Sequence, residues 1–184
     1  MKQALLVIDM QNDFFQTGPL ADRRESLVSN INQLVDKAHQ TDTPVIWIRQ
    51  EYAADLSDAP LYNRHHNKSV TIQGSVGAQL LSEFIPQADD HHIIKKRFSA
   101  FYQTQLEELL AHLEVDTLII TGVNTMTCVR VTAIDAYQRD FPVILALDCV
   151  DAHDNEQHDN SIKYLQFSVS VGKSNAEIIE EVLR

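Results

Sequence analysis

The chain has 184 residues, with 15 Lys and Arg against 26 Asp and Glu, a formal charge of −11. Hydrophobic residues make up 44% and charged residues 22%, which fits one globular domain over residues 1–184 and argues against disorder. With no block of Lys or Arg and no apolar run near the length of a membrane span, nucleic-acid and membrane partners are not expected. The two cysteines, Cys128 and Cys149, are too few for a disulfide framework, and the five-residue apolar run after Met1-Lys2-Gln3 is too short for a signal-peptide core. A reducing cytoplasm is the expected compartment.

Short apolar runs alternate with amphipathic stretches along the chain. Ala4 to Ile8 reads as a buried strand that stops at a charge. Leu27, Ile31, Leu34, Val35 and Ala38 fall at helical spacing within Asp22 to Gln40, and Thr43-Pro44 breaks the chain before a strand at Val45 to Ile48. Gln50 to Gly74 is irregular and reads as a lid or interface loop. Ser75 to Phe84 reads as a helix closed by Pro86. Ile93-Ile94 is a short strand, Gln105 to Leu113 a helix, Thr117 to Thr121 a strand, Thr127 to Gln138 a helix and Val143 to Leu147 a strand. A helix at Asn155 to Leu165, a strand near Ser168 to Val171 and a helix at Asn175 to Leu183 complete the series. Strands separated by helices imply an α/β fold. The expected architecture is a single-domain, doubly wound, Rossmann-like six-stranded parallel sheet with helices on both faces.

Such sheets bind ligands beyond the carboxyl ends of their strands. Asp9 follows the first strand, Lys95 the third and Cys128 the fourth, where a helix begins. A thiol at a helix N-terminus beside a lysine is expected to have a lowered pKa. Asp9 can carry a proton between that thiol and a leaving group. The backbone N–H groups of Asn124 and Cys128 can hold an oxyanion. Taken one at a time, Cys128 reads more readily as a small buried hydrophobe and Lys95 as a solvated charge, Asp9 reads equally as a turn or cap residue, and Lys96 is an equal candidate by composition. Phe14, Trp47, Phe98 and Tyr102 sit near strand ends, where pocket and core are equal alternatives. Phe14, Phe98 and Trp47 are the candidate substrate contacts, and Arg97 suits either a substrate carboxylate or an internal ion pair. His65-His66 and His91-His92 lack metal-ligand spacing. His153-Asp154 and His158-Asp159 read as helix caps, and Cys149 as core. No phosphate-binding glycine motif is present, so no nucleotide cofactor is expected. The acidic pair of receiver domains and the Asp-x-Asp of phosphatases are also missing, because Met10 and Gln11 follow Asp9.

Three stretches resemble the isochorismatase-like cysteine hydrolases. They are Asp9-x-Gln11-x-Asp13-Phe14, then Lys95-x-Arg97-Phe98-Ser99-Ala100-Phe101, then Gly122-Val123-x-Thr125-x-x-Cys128-Val129-x-x-Thr132-Ala133-x-Asp135-Ala136. The resemblance implies that Asp9, Lys95 and Cys128 form a triad, and its register selects Lys95 over Lys96. It also implies a cis peptide between Val123 and Asn124, no cofactor, and a homodimer or homotetramer. A cysteine at the nucleophile position implies hydrolysis of a C–N bond in a small amide or ureido-type substrate through a thioester. Isochorismatase-type vinyl-ether hydrolysis, nicotinamidase activity and a catalytically silent member acting through oligomer contacts are the alternatives. Nicotinamidases tend to carry an Asp-x-His metal motif after the second strand, and this chain has Arg49-Gln50-Glu51 there, so no metal is expected.

Overall fold

The computed structural model describes residues 2–183. The strands are β1 (Gln3–Ile8), β2 (Val45–Gln50), β3 (His91–Lys95), β4 (Thr117–Val123), β5 (Val143–Asp151) and β6 (Val171–Lys173). They form one parallel sheet of six in the order β3-β2-β1-β4-β5-β6. The chain winds outward from β1 to β3 and then returns to the other side of β1. Strand order therefore reverses between β1 and β4, where a doubly wound sheet opens a crevice. Leu6 pairs with Ile120 and Ile8 with Gly122 across that junction. Gly122 has φ +101, and a Cβ there would overlap the Ile8 carbonyl, so glycine is what lets the two strands meet at the crevice.

Helices α1 (Pro19–Asp22), α2 (Arg24–Gln40), α3 (Leu61–His65), α4 (Leu106–His112), α5 (Cys128–Tyr137), α6 (Asn155–Ser168) and α7 (Asn175–Glu177) connect the strands. The spacing read in α2 is the face it buries: Leu27, Ile31, Leu34, Val35 and Ala38 pack on Leu5, Val7 and Ile119 with Ile178 from the C-terminal segment. On the other face, Leu106 and Leu110 of α4, Val129 and Ala133 of α5 and Leu165 of α6 pack on Leu6, Ile8 and Ile120. Both faces are covered, which is why β1 and β4 read as unbroken apolar runs. Each Leu or Ile buried this way contributes about 1.5–3 kcal/mol relative to exposure. No helix among the described residues is long and apolar enough to cross a membrane.

One expectation fails and two differ in detail. Ser75 to Phe84 is not a helix but a run of turns and bends, bridged antiparallel to Gln11 through Leu80. Side-chain amides compete for the carbonyls a helix would use: Gln11 Nε2 donates to Ala78 O at 2.7 Å and Asn12 Nδ2 to Val76 O at 2.9 Å. The short strand expected near Ser168 to Val171 begins only at Val171, because α6 runs on to Ser168. The last helix continues beyond α7 as a π-helical turn, Ile178–Val182, started by a Ser174/Glu177 capping box.

Candidate active site

β1, β3 and β4 deliver three side chains to the same point. Asp9, just past β1, adopts a left-handed conformation with φ +53, which Asp tolerates better than most residues. Its N–H donates to Ile48 O at 2.8 Å, which fixes it against β2. Lys95 ends β3, paired with Gln50 of β2. Its ammonium lies 2.8 Å from Asp9 Oδ2, with both side chains wholly buried. The same ammonium donates to Cys128 Sγ at 3.3 Å and to Arg97 O at 3.1 Å. Cys128 is the first residue of α5 and is 4% exposed. Lys96, left open by composition, turns outward to Asp58 at 2.9 Å.

Burial dominates the electrostatics. Desolvation pushes the Cys128 thiol up to about 12, although Lys95 pulls it down. The expectation of a lowered pKa is therefore corrected: the sulfur is buried among apolar neighbours, and burial outweighs the ammonium and the helix terminus. Asp9 is also raised by burial, with Lys95 opposing. Burial alone would lower Lys95, but the Asp9 carboxylate more than offsets it and the ammonium is held above its usual range. At neutral pH the thiol therefore keeps its proton and Lys95 stays an ammonium. Neither Asp9 oxygen accepts a well-aligned hydrogen bond among the described residues, which leaves a desolvated acceptor beside a thiol within its reach.

Linkage gives this a measurable form. An unfolded thiol ionises near 9.0, whereas Cys128 keeps its proton to about 12. Between those values the unfolded chain loses a proton that the folded chain retains, so stability falls as pH rises, by about 1.4 kcal/mol per pH unit from this group. Denaturant melts from pH 8 to 11 should fall less steeply for Cys128→Ala than for the wild type. Equal slopes would contradict the buried, protonated thiol.

The turn ahead of Cys128 is fastened to the end of β5 and the residues just after it. Thr125 N donates to Asp151 O at 2.9 Å, and His153 N donates to Asn124 Oδ1 at 3.2 Å. Asp151 is clamped by Arg23 at 2.5 and 2.6 Å. The Val123–Asn124 peptide is cis. The N–H groups of Asn124 and Cys128 have no acceptor among the described residues.

Several motif residues act by bracing rather than by chemistry. Ser99 donates its hydroxyl proton to Asp135, and Ala100 N donates to Thr132 Oγ1 at 3.0 Å. The segment after Lys95 is thereby locked onto the helix that carries Cys128, which explains why these two motifs occur together. Gln11 spans the cleft floor: its amide donates to Gln50 O at 2.8 Å and Ala78 O at 2.7 Å, and its Oε1 accepts from Gln50 N at 2.8 Å. In the sequence Gln11 marks a motif position and the lack of an Asp-x-Asp pair; its bracing role depends on burial and on partners at Gln50 and Ala78 that the sequence does not show. Gln11→Ala strands two carbonyls and an N–H, and should cost about 2 kcal/mol or more in a denaturant melt.

The aromatic candidates separate. Trp47 is no substrate contact. It is fully buried, its ring lies 5.4 Å from Phe84, and its N–H donates to Asp90 at 2.7 Å. Strand alternation points it to the α2 face, opposite the face that holds Cys128. Phe14 is half-buried against the α2-side core. Phe98 is 49% exposed and lines a groove of about 410 Å³ with Pro60, Arg97, Ser99, Tyr102, Val131 and Asp135. Arg97 makes no ion pair among the described residues and donates to the Asp58 and Lys96 carbonyls. Asp154 caps α6 and Cys149 is core. Among the described residues no three His, Cys, Asp or Glu side chains are grouped to hold a metal ion.

Known proteins share this arrangement of elements. An isochorismatase domain profile matches residues 3–180. A probable inactive nicotinamidase from Arabidopsis thaliana is 39% identical over 167 residues, covering 86% of this chain and 85% of that protein. An uncharacterized isochorismatase family protein of Bacillus subtilis is 32% identical over 166 residues, covering 89% and 88%. Among solved structures, an isochorismatase family protein from Desulfovibrio vulgaris superposes with TM-score 0.91 at 28% identity, covering 100% of this chain and 99% of that one. N-carbamoylsarcosine amidase from Thermoplasma acidophilum superposes with TM-score 0.83 at 26% identity, covering 97% and 99%. With the profile spanning nearly its whole length, the chain belongs to the isochorismatase family of hydrolases.

Proposed function

We propose that this protein is a metal-independent cysteine hydrolase that cleaves a C–N bond in a small amide or ureido-type substrate. The observation that carries this reading is the convergence of Asp9, Lys95 and Cys128 in one buried cluster, with Lys95 Nζ 2.8 Å from the carboxylate and 3.3 Å from the sulfur. Because burial keeps the thiol protonated, the nucleophile forms only as the proton leaves. Asp9 takes that proton while sulfur attacks the carbonyl carbon. The developing oxyanion is received by the N–H groups of Asn124 and Cys128. Collapse breaks the C–N bond, and Asp9 returns the proton to the leaving nitrogen. Water then attacks the thioester, giving its proton through Asp9 to the departing sulfur. Lys95 holds Asp9 in place and offsets negative charge on sulfur. Phe14 and Phe98 are proposed to border the substrate, and the assembly is proposed to be a homodimer or homotetramer.

Metal independence rests on what occupies the end of β2: Arg49 and Glu51 pair with each other at 3.2 Å, and no Asp-x-His follows the strand. The Arabidopsis relative described as probably inactive keeps a silent family member in view. One screen separates the readings. Wild type and Cys128→Ala are compared on nicotinamide, N-carbamoyl compounds, ureidoacrylate and biuret by ammonia release, and on isochorismate by product chromatography. Ammonia release that vanishes in the variant supports the proposal. Turnover of isochorismate alone, or turnover that survives the loss of the thiol, overturns it.

A further inference from the structure

His158 has no part in the chemistry described so far. It stands on the first turn of α6, inside the Asp154 cap, and its side chain is 23% exposed. From the sequence it reads as a cap, yet its ring reaches out of the helix to the turn ahead of Cys128, where Nδ1 lies 3.0 Å from Thr125 Oγ1. Thr125 is wholly buried, and this is the contact its hydroxyl makes among the described residues. A buried hydroxyl needs such a partner. The Asp151 carboxylate is farther from the ring, with Oδ1 at 4.0 Å, and that oxygen already accepts from Arg23 Nη2 at 2.6 Å and Ala152 N at 2.7 Å. The short contact of His158 is therefore with the threonine.

The frame around this contact is fixed from one residue. Besides clamping Asp151, Arg23 donates to Ala152 O at 3.0 Å and to Oδ1 of Asn155, the first residue of α6, at 2.9 Å. One guanidinium thus ties the end of β5 to the start of α6. From those two elements Asp151 O accepts from Thr125 N at 2.9 Å and His158 meets the Thr125 hydroxyl. On the other side of Asn124, Val123 pairs with Asp151 in the sheet, and Asn124 Oδ1 accepts from His153 N. The neighbours of Asn124 are tied in both directions, while its own N–H has no acceptor among the described residues.

We infer that His158 is a positioning residue for the hydrolysis, holding Thr125 so that the Asn124 N–H stays aimed at the developing oxyanion. This deepens the proposed function and rests on Cys128 attacking a carbonyl beside that N–H. An oxyanion donor lowers the barrier only if it is aimed before the charge appears. Whichever of Nδ1 and Oγ1 carries the shared proton, the pair satisfies both groups. Without the ring the Thr125 hydroxyl is left buried and unpaired, and the turn can relax only by moving the residue next to Asn124.

Two reagents separate aim from reactivity. Attack of the Cys128 thiol on 4-nitrophenyl acetate passes through an oxyanion and expels nitrophenolate, leaving an acetyl thioester, with the thiol proton going to Asp9. Methyl methanethiosulfonate leaves a methyl disulfide on the same sulfur and expels methanesulfinate, with no carbonyl and no oxyanion. In His158→Ala, nitrophenolate release above the Cys128→Ala background should fall about tenfold to a hundredfold, short of the roughly 10²–10³ lost when a donor is removed outright. The rate of disulfide labelling at Cys128 should stay at the wild-type value. His158→Asn, whose amide can stand where Nδ1 does, should recover much of the loss. Thr125→Val should lose as much as His158→Ala, and the double variant no more than either, because the two act through one contact. Release equal to wild type in His158→Ala, an asparagine variant no better than alanine, or losses that add in the double variant would each overturn the inference. So would a labelling rate that shifts with release, since His158 would then act by shaping the thiol's surroundings. A wild type that releases no more nitrophenolate than Cys128→Ala would overturn the cysteine mechanism itself, and the inference with it.

Discussion

Replacing Cys128 by alanine should abolish hydrolysis, with no residual turnover above the uncatalysed rate on any C–N substrate the wild type accepts. In the proposed mechanism the sulfur is the atom that bonds to the carbonyl carbon, and nothing near it can substitute: its neighbours at hydrogen-bond range are Lys95, Asp9 and the more distant Thr127 hydroxyl at 3.9 Å. Asp9→Asn should cost several powers of ten, and the double variant hardly more than Cys128→Ala alone, because members of such a unit are not additive. Steady-state rates of the single and double variants check this. The fold should tolerate Cys128→Ala, which deletes one sulfur from a helix start. Circular dichroism and a melt at pH 7 should match the wild type closely.

Removing Lys95 should have the largest effect on stability together with loss of activity. Lys95→Ala leaves the Asp9 carboxylate wholly buried with no cation beside it, and breaking such a pair costs about 3–5 kcal/mol. For a chain of this length that corresponds to a fall in Tm of about 10 °C. The sign of its pH dependence follows from Asp9, whose pKa is raised by burial and restrained only by Lys95. Without the lysine it rises further, so the penalty grows as pH rises above the 3.8 at which the unfolded carboxyl ionises, and shrinks as pH falls and the buried acid takes a proton. Thermal melts of Lys95→Ala and wild type should draw together as pH is lowered from 8 toward the 3.8 of the unfolded carboxyl. Adding Asp9→Asn to Lys95→Met should recover much of the lost stability and none of the activity. A Lys95→Ala protein as stable as the wild type at pH 8 would mean that the ion pair is open to water.

Much of the fold was legible in the chain. Periodicity gave α2, and the unbroken apolar runs of β1 and β4 foretold strands buried on both faces. The strand-end rule led to Asp9, Lys95 and Cys128 before any distance was known, because parallel sheets place their chemistry at those ends. Asp154 and Cys149 also behave as composition suggests, one as a cap and one as core.

Other features depend on partners far away in sequence, and only the tertiary structure decides them. Ser75 to Phe84 has helical spacing, but Gln11 and Asn12 claim its carbonyls, and that competition is invisible within a local window. Trp47 near a strand end looked available to a substrate, yet its ring points to the α2 face and its N–H is spent on Asp90. Lys95 and Lys96 are indistinguishable by composition; alternation along β3 sends one to Asp9 and the other to Asp58. The Cys128 pKa reverses its expected direction because desolvation depends on three-dimensional packing, whereas helix position and neighbouring charge can be read from sequence. Local pattern determines which elements form and which strand ends carry reactive groups, while long-range hydrogen bonds and burial decide which of those groups meet and with what charge.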